Sequence, residues 1–213
     1  MLTPRQNYEK DYPLGAKTKI VKKDLDTAVQ FCTHHRVCLD IGAHIGVFAI
    51  EASSRYEMVH SFEPIPNMYK MLEKNTKDIE NVKAYNYVVS DNNELVPMLE
   101  NPRNTESSFA WTGDTRNLHH RKNWINKKGI DIVEMPATSI DSFAFENVDF
   151  IKIDTEGYVL PVLQGMVETL KNNSALLLIE IFEDKDTIVE FLEDHSYVYH
   201  HFAGGNDHYF TKR

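Results

Sequence analysis

The apolar positions along the chain change period several times. Leu25, Ala28, Val29 and Cys32 fall on one helical face and predict a short helix from Asp24 to Thr33, with Asp24 as its N-cap. The preceding stretch, through about Lys23, is polar with scattered Tyr and Pro and reads as irregular. Arg36 to Ile41 is a short apolar run that predicts a buried strand, followed by the glycine-containing turn Gly42–Gly46 and a helical run from Val47 to Arg55. Met58 to Glu63 repeats the strand pattern, Asn67 to Thr76 the helical one, and Val82 to Ser90 reads as a third strand. This β-α-β-α-β order predicts a parallel sheet with helical crossovers.

The rhythm breaks from Asn92 to Pro136, a stretch rich in Asn, Ser, Thr and charge that holds both tryptophans, Trp111 and Trp124. It resumes with strand Val148–Ile153, helix Leu160–Leu170, strand Ala175–Phe182 and helix Asp186–Asp194. Two alternating segments, Tyr197–Phe202 and His208–Thr211, flank Ala203-Gly-Gly-Asn206 and predict an antiparallel hairpin. The expected fold is α/β: a Rossmann-like, doubly wound, mostly parallel seven-stranded sheet ending in a β-hairpin.

A chain of 213 residues fits one such domain, with residues 1–35 as a lead-in and 92–136 as an insert. The formal net charge of -9 argues against a uniformly nucleic-acid-binding surface, so nucleic acid is a disfavoured partner. Cys32 and Cys38 have no metal-ligand spacing and read as reduced thiols in or near the core. No signal peptide and no apolar run near the ~20 residues of a membrane span is visible, so the expectation is a cytoplasmic protein without membrane contact, a monomer or homodimer.

Asp40 to Gly46 is the first informative motif. A strand that ends in a glycine turn brings backbone close to a ligand, and Asp40, Gly42, Ala43, His44 and Gly46 are the candidate contacts. The spacing is G-x-x-x-G and not the G-x-G-x-x-G of dinucleotide binders; the side chain of His44 would crowd a pyrophosphate but need not exclude a methionine moiety. Glu63 and Pro64 close the second strand about twenty residues on, where a carboxylate accepts from both ribose hydroxyls of a nucleoside. Either feature alone is weak; in sequence and at this spacing they point to a nucleoside. The terminal hairpin favours S-adenosylmethionine over a nicotinamide cofactor. Ser90 and Asp91 end the third strand, where Asp91 is placed to accept from an adenine amine, or simply starts the turn into Asn92-Asn93.

These residues resemble the FkbM family of S-adenosylmethionine-dependent methyltransferases. The likeness lies in Leu39-Asp-Ile-Gly-Ala-His-Ile-Gly46, Phe62-Glu-Pro64, Val89-Ser-Asp91, Ser139-Ile-Asp-Ser-Phe143, Val148-Asp-Phe-Ile-Lys-Ile-Asp-Thr-Glu-Gly157 and Leu177-Leu-Ile-Glu-Ile181. The Lys-Ile-Asp-Thr-Glu-Gly segment is the most specific. The resemblance implies a class I methyltransferase that methylates a hydroxyl, often on a sugar or a natural product, and releases S-adenosylhomocysteine. His44 stands where Asn is frequent in the family.

A hydroxyl acceptor must lose a proton, which calls for a base or a metal. Asp154 and Glu156 are the best candidates, Asp154 at the carboxyl edge of the fourth strand, beside the cofactor, and Glu156 in the turn after it. The alternative for both is structural: Asp154 capping the helix that begins near Tyr158, and Glu156 complementing its dipole. Two acids this close are also the start of a divalent-metal site, but no octahedral ligand set is visible and no metal is expected. Lys152, inside an apolar strand, is either part of the active site or paired with an acid of a neighbouring strand such as Glu180. The insert is the expected acceptor-recognition segment: Ser107, Ser108 and Trp111 suit a sugar. The basic run Arg116 to Lys128 is either a solvated face or a patch for an anionic acceptor such as a nucleotide sugar, with His119 or His120 as a further base candidate. A nicotinamide-dependent oxidoreductase and a catalytically silent nucleoside-binding module are the rival readings.

Overall fold

The computed structural model describes residues 15–100, 109–110, 131–200 and 205–213. Strands β1 (Val37–Ile41), β2 (Met58–Phe62) and β3 (Val82–Tyr85) form one side of a seven-stranded sheet. Strands β8 (Val148–Ile153) and β9 (Leu176–Glu180) and the hairpin β10 (Tyr197–His200)–β11 (Asp207–Lys212) form the other. The order is β10-β11-β9-β8-β1-β2-β3, parallel except for β11, which runs antiparallel to both β9 and β10. The expected architecture, terminal hairpin included, is therefore present. Connections leave in opposite directions from β1 and β8, so their carboxyl ends form the switch point where open α/β sheets bind ligands.

Alternation along the strands sends side chains to two cores. Leu39, Ile41, Phe62, Ile151, Ile153, Leu177 and Ile179 face one side. They meet helices α4 (Val159–Gln164), α5 (Val167–Asn172) and α6 (Lys185–Asp194) there. Cys38, Phe150, Leu176, Leu178 and Tyr209 face the other, under α1 (Gly15–Phe31), α2 (Val47–Ala52) and Leu72 of α3 (Pro66–Thr76).

Several boundaries differ from the sequence reading. Helix α1 starts at Gly15, not Asp24, because Val21 extends the stripe of Leu25, Ala28 and Cys32 by one more turn; Asp24 is mid-helix and caps nothing. The third strand divides at Asn86, whose amide donates to the carbonyls of both Glu63 and Pro64 at 2.8 Å. The chain then leaves the main sheet, and β4 (Val88–Val89) joins a second, four-stranded sheet. Its partners come from the stretch expected as an insert: β5 (Leu95–Glu100), β6 (Phe109–Ala110) and β7 (Asp131–Thr138), in order β4-β7-β5-β6. Val96, Met98, Met135 and Ala137 are buried in the first core, so the ends of this stretch belong to the body of the fold.

The helix expected over 160–170 is two helices. Gly165 separates them because a Cβ there would collide with the Ser90 carbonyl, and its own carbonyl accepts from Asp141 N–H at 3.1 Å. Asp141, from the short 3₁₀ turn Ile140–Phe143, then caps α5 from outside, accepting from the N–H groups of Glu168 (3.0 Å) and Thr169 (2.8 Å). Both cysteines are free thiols: Cys38 is buried and Cys32 donates to the Asp149 carbonyl at 3.1 Å. Among the described residues no helix is long and apolar enough to cross a membrane.

Candidate functional site

A cavity of about 530 Å³ opens at the switch point, over the carboxyl ends of β1, β2, β8 and β9. A larger cleft of about 880 Å³ lies at the opposite end of the sheet. Its two cations are already paired, Arg36 with Asp149 and Asn147, and Lys212 with the carbonyls of Leu170, Lys171 and Asn173. The carboxyl-end cavity gathers the candidate residues Asp40, His44, Glu63, Lys152, Asp154 and Glu156.

The turn after β1 is held to β2 by two hydrogen bonds from Gly42 and Ala43 N–H to the Phe62 carbonyl, at 3.0 and 2.9 Å. Three of its residues have left-handed backbone: Gly42 (φ 85°), His44 (φ 51°) and Gly46 (φ 89°). The glycines serve packing. A Cβ on Gly42 would collide with the carbonyl of Asp154, and one on Gly46 would stand 2.7 Å from Leu72 Cδ1. This turn carries His44 N–H to Glu63, whose Oε2 accepts it at 2.8 Å while Oε1 accepts from Ile65 N–H at 2.8 Å. Each oxygen keeps a lone pair for a ligand hydroxyl. Glu63 is buried, and burial pushes its carboxyl up to about 7, against the pull of the two N–H donors. Pro64 lies beside it in the cavity wall.

Parallel register brings the acids together. Asp40 of β1 is level with Ser61 on one side and Lys152 on the other, and Asp154 and Glu180 come one residue beyond the last pairs of β8 and β9. Asp40 is fully buried and neither of its oxygens has a hydrogen-bond partner. Its carboxyl is raised to about 6, by burial first and Asp154 second, with Lys152 opposing. Lys152 Nζ bonds Asp154 Oδ2 at 2.7 Å. The partner of Lys152 is thus on its own strand, while the neighbouring strand's Glu180 lies level with Asp154. Burial lowers the Lys152 ammonium, but Asp154 and Asp40 outweigh it and hold it charged. Burial alone would raise Asp154; Lys152 and a hydrogen bond with Glu180 bring it below the usual carboxylate range. Burial, and then Asp154, push Glu180 up to about 8.

The helix after this turn, α4, has Tyr158 as its N-cap residue and no side-chain cap, so capping does not account for Asp154. Glu156 (φ 51°) and Gly157 (φ 92°) are both left-handed, which turns Glu156 back toward the cavity it lines. Ser90 and Asp91 do not line it: Ser90 Oγ is 2.9 Å from the hydroxyl of Tyr158, which does, and Asp91 is exposed and 3.0 Å from Ser90 Oγ. Ser107, Ser108, Trp111, His119, His120 and the basic run 116–128 lie outside the described residues.

Three carboxyl groups of the wall were not singled out as site residues by the motifs: Asp24 from α1, Glu180 and Asp207. Asp24, pushed up to about 6 by burial, would be a cap only in a helix that began there, and α1 begins at Gly15. Glu180 was visible as the acid that ends the strand after Lys-Ile-Asp-Thr-Glu-Gly. Asp207 carries no local signal; register with Glu180 alone places it. In all, seven carboxyl groups, one lysine and His44 line the cavity.

A family model, the methyltransferase FkbM domain, matches residues 40–199. The solved structure of an FkbM methyltransferase from Methylobacillus flagellatus KT is similar over 84% of this chain, with 16% identity and a TM-score of 0.54; the chain spans 43% of that protein's length. A SAM-dependent methyltransferase from Aquifex aeolicus aligns over 100% of both chains at 14% identity and a TM-score of 0.51. Magnesium protoporphyrin IX methyltransferase from Synechocystis PCC 6803, solved with bound SAM, aligns over 92% of this chain and 80% of its own, with 7% identity and a TM-score of 0.51. No curated protein matches the sequence.

Proposed function

Because the chain belongs to the FkbM methyltransferase family, whose cofactor is S-adenosylmethionine, we propose that it methylates a hydroxyl of a small molecule, a sugar or glycan-related compound. The observation that carries this reading is the pairing, in one switch-point cavity, of a buried Glu63 with spare acceptor capacity and the charged Asp154 at the next strand end but one. Glu63 would take the ribose hydroxyls, and the Gly42–Gly46 turn and Asp40 the methionine end. Ser90 and Asp91 would act on the adenine side through Tyr158.

When bound, S-adenosylmethionine supplies an electrophilic methyl group on a sulfonium. The C–S bond breaks with its electron pair going to sulfur, a C–O bond forms, and the hydroxyl proton must leave. Lys152 keeps Asp154 ionised, and an ionised carboxylate at the strand end orients the hydroxyl through its proton. Asp154 is a weak base, so it takes that proton late, once the oxygen has become acidic by bonding carbon. Lys152 is a positioning residue in this scheme, and Glu156 extends the acceptor wall. The predominance of carboxyl groups favours an uncharged polyhydroxyl acceptor over a phosphorylated one.

Calorimetric titration with S-adenosylmethionine, followed by labelled-methyl transfer to panels of sugars, nucleotide sugars, polyketides and RNA transcripts, tests the reading. Transfer to a sugar hydroxyl is expected. Transfer to RNA alone, or cofactor binding with no transfer to any panel, would replace it.

A further inference from the structure

We propose that Asp40 makes the cofactor site selective for charge: its carboxylate favours the cationic methyl donor, S-adenosylmethionine, over the product, S-adenosylhomocysteine, which has one positive charge fewer. Asp40 is fully buried and lines the switch-point cavity from β1, with Gly42, Ala43 and His44 of the glycine turn. Neither of its oxygens has a hydrogen-bond donor among the described residues. The level residue on β8 is Lys152, but its Nζ is bonded to Asp154 Oδ2 at 2.7 Å. Lys152 and Asp154 are thus a pair of opposite charges, and Asp40 is the acid left over beside them. A buried carboxylate without donors is costly, and a cation that enters the cavity relieves the cost.

Methyl transfer changes the charge that Asp40 faces. The donor brings a sulfonium, an ammonium and a carboxylate. When the C–S bond breaks, its electron pair stays on sulfur, and the product keeps only the ammonium and the carboxylate. One unit charge about 8 Å from a carboxylate, at an effective dielectric constant of about 20, changes affinity by on the order of thirtyfold. The hydrogen bonds from ribose to Glu63 are common to donor and product, so they do not tell the two apart. Discrimination has to come from a group that senses the lost charge, and a buried carboxylate with no donor of its own is such a group.

Asp40 is a specificity-determining residue in this scheme. The site holds the donor while the methyl group is present and exchanges the product once it is gone, the direction that turnover needs. The inference rests on the family's cofactor and is independent of the acceptor.

The test is calorimetric titration of the full-length protein with three ligands: S-adenosylmethionine, S-adenosylhomocysteine, and sinefungin, which carries an amine-bearing carbon in place of the sulfonium and so keeps the positive charge. The parent should bind the two cationic ligands about tenfold or more tighter than S-adenosylhomocysteine. Asp40→Asn keeps the size and removes the charge. It should bring all three affinities within about threefold of one another, by weakening the two cationic ligands and changing S-adenosylhomocysteine little. Asp40→Ser, a second variant in case the first does not fold, should do the same, with circular dichroism confirming the fold of each. A residue that only held the turn or Lys152 would lower all three affinities alike. A parental ratio in a folded variant therefore overturns the proposal, as does a parent that binds S-adenosylmethionine and S-adenosylhomocysteine equally. Either result leaves the cofactor in place; binding of none of the three would remove the cofactor assignment and the proposal with it.

Discussion

Gly42 and Asp154 are in direct contact across the switch point: a Cβ on Gly42 would collide with the carbonyl oxygen of Asp154, and Gly42 also has φ 85°. The turn after β1 and the chain leaving β8 therefore hold each other in place. Gly42→Ala adds both the clash and a left-handed penalty, and should cost about 3 kcal/mol or more. Thermal melts and calorimetric titration with S-adenosylmethionine should show both stability and affinity falling; a variant with parental values would show that the turn yields freely.

Glu63 should be the main polar anchor for the ribose. Glu63→Ala is expected to weaken S-adenosylmethionine binding by about 1–3 kcal/mol, the cost of removing hydrogen bonds to a charged group. Because the carboxyl is raised to about 7 and its ionised form is the better acceptor, parental affinity should rise from pH 6 to pH 8. Glu63→Gln should flatten that rise. Unchanged affinity in a folded Glu63→Ala would take this residue out of the site.

Asp154→Asn preserves size and removes charge. Single-turnover transfer at saturating cofactor should fall by about 100-fold or more with little change in cofactor affinity. A rate within a few-fold of the parent would leave Asp154 a structural partner of Lys152 only.

The antiparallel pairing of β5 with β7 runs from Leu95 opposite Pro136 to Glu100 opposite Asp131. Removing all of residues 92–136 would strip Val96, Met98 and Met135 from the core, so the segment to shorten is 101–130. Joining Glu100 to Asp131 by a two-residue turn should leave a folded, cofactor-binding protein that no longer transfers. Transfer at the parental rate would place acceptor recognition elsewhere.

His60 sits under the aromatic cluster of Tyr85, Phe143 and Phe145, with Nδ1 2.9 Å from the Tyr85 hydroxyl. Burial, assisted by Lys83, lowers its pKa from 6.5 to about 4. The unfolded chain therefore binds the proton first as pH falls. Its contribution is fully present above about 6.5 and is lost down to about 4, on the order of 2–3 kcal/mol. Urea unfolding at pH 7.5 and pH 5 should show this loss, and His60→Phe should reduce it. Equal acid sensitivity in both proteins would assign the loss to other groups.

Much of this protein is legible in its sequence because local period follows directly from burial on a sheet or helix face. Strand Val148–Ile153 is found at its expected bounds, and the Asp40–Gly46 turn, Glu63 and Asp154 share one cavity because parallel strands all end on the same edge. Family membership was likewise carried by short motifs, which are strings of adjacent residues. Other features depend on partners distant in the chain. Asn86 ends β3 by bonding carbonyls more than twenty residues away; Gly165 breaks a helix to admit Ser90; Asp141 caps a helix that starts at Val167. The acid set around Lys152 is of this kind as well. Register between β1, β8, β9 and β11 aligns Asp40, Asp154, Glu180 and Asp207, and α1 brings Asp24 over them. No spacing within a single segment encodes that alignment, because charge accumulates there through strand pairing, and pairing is settled only when the whole sheet closes around its two cores.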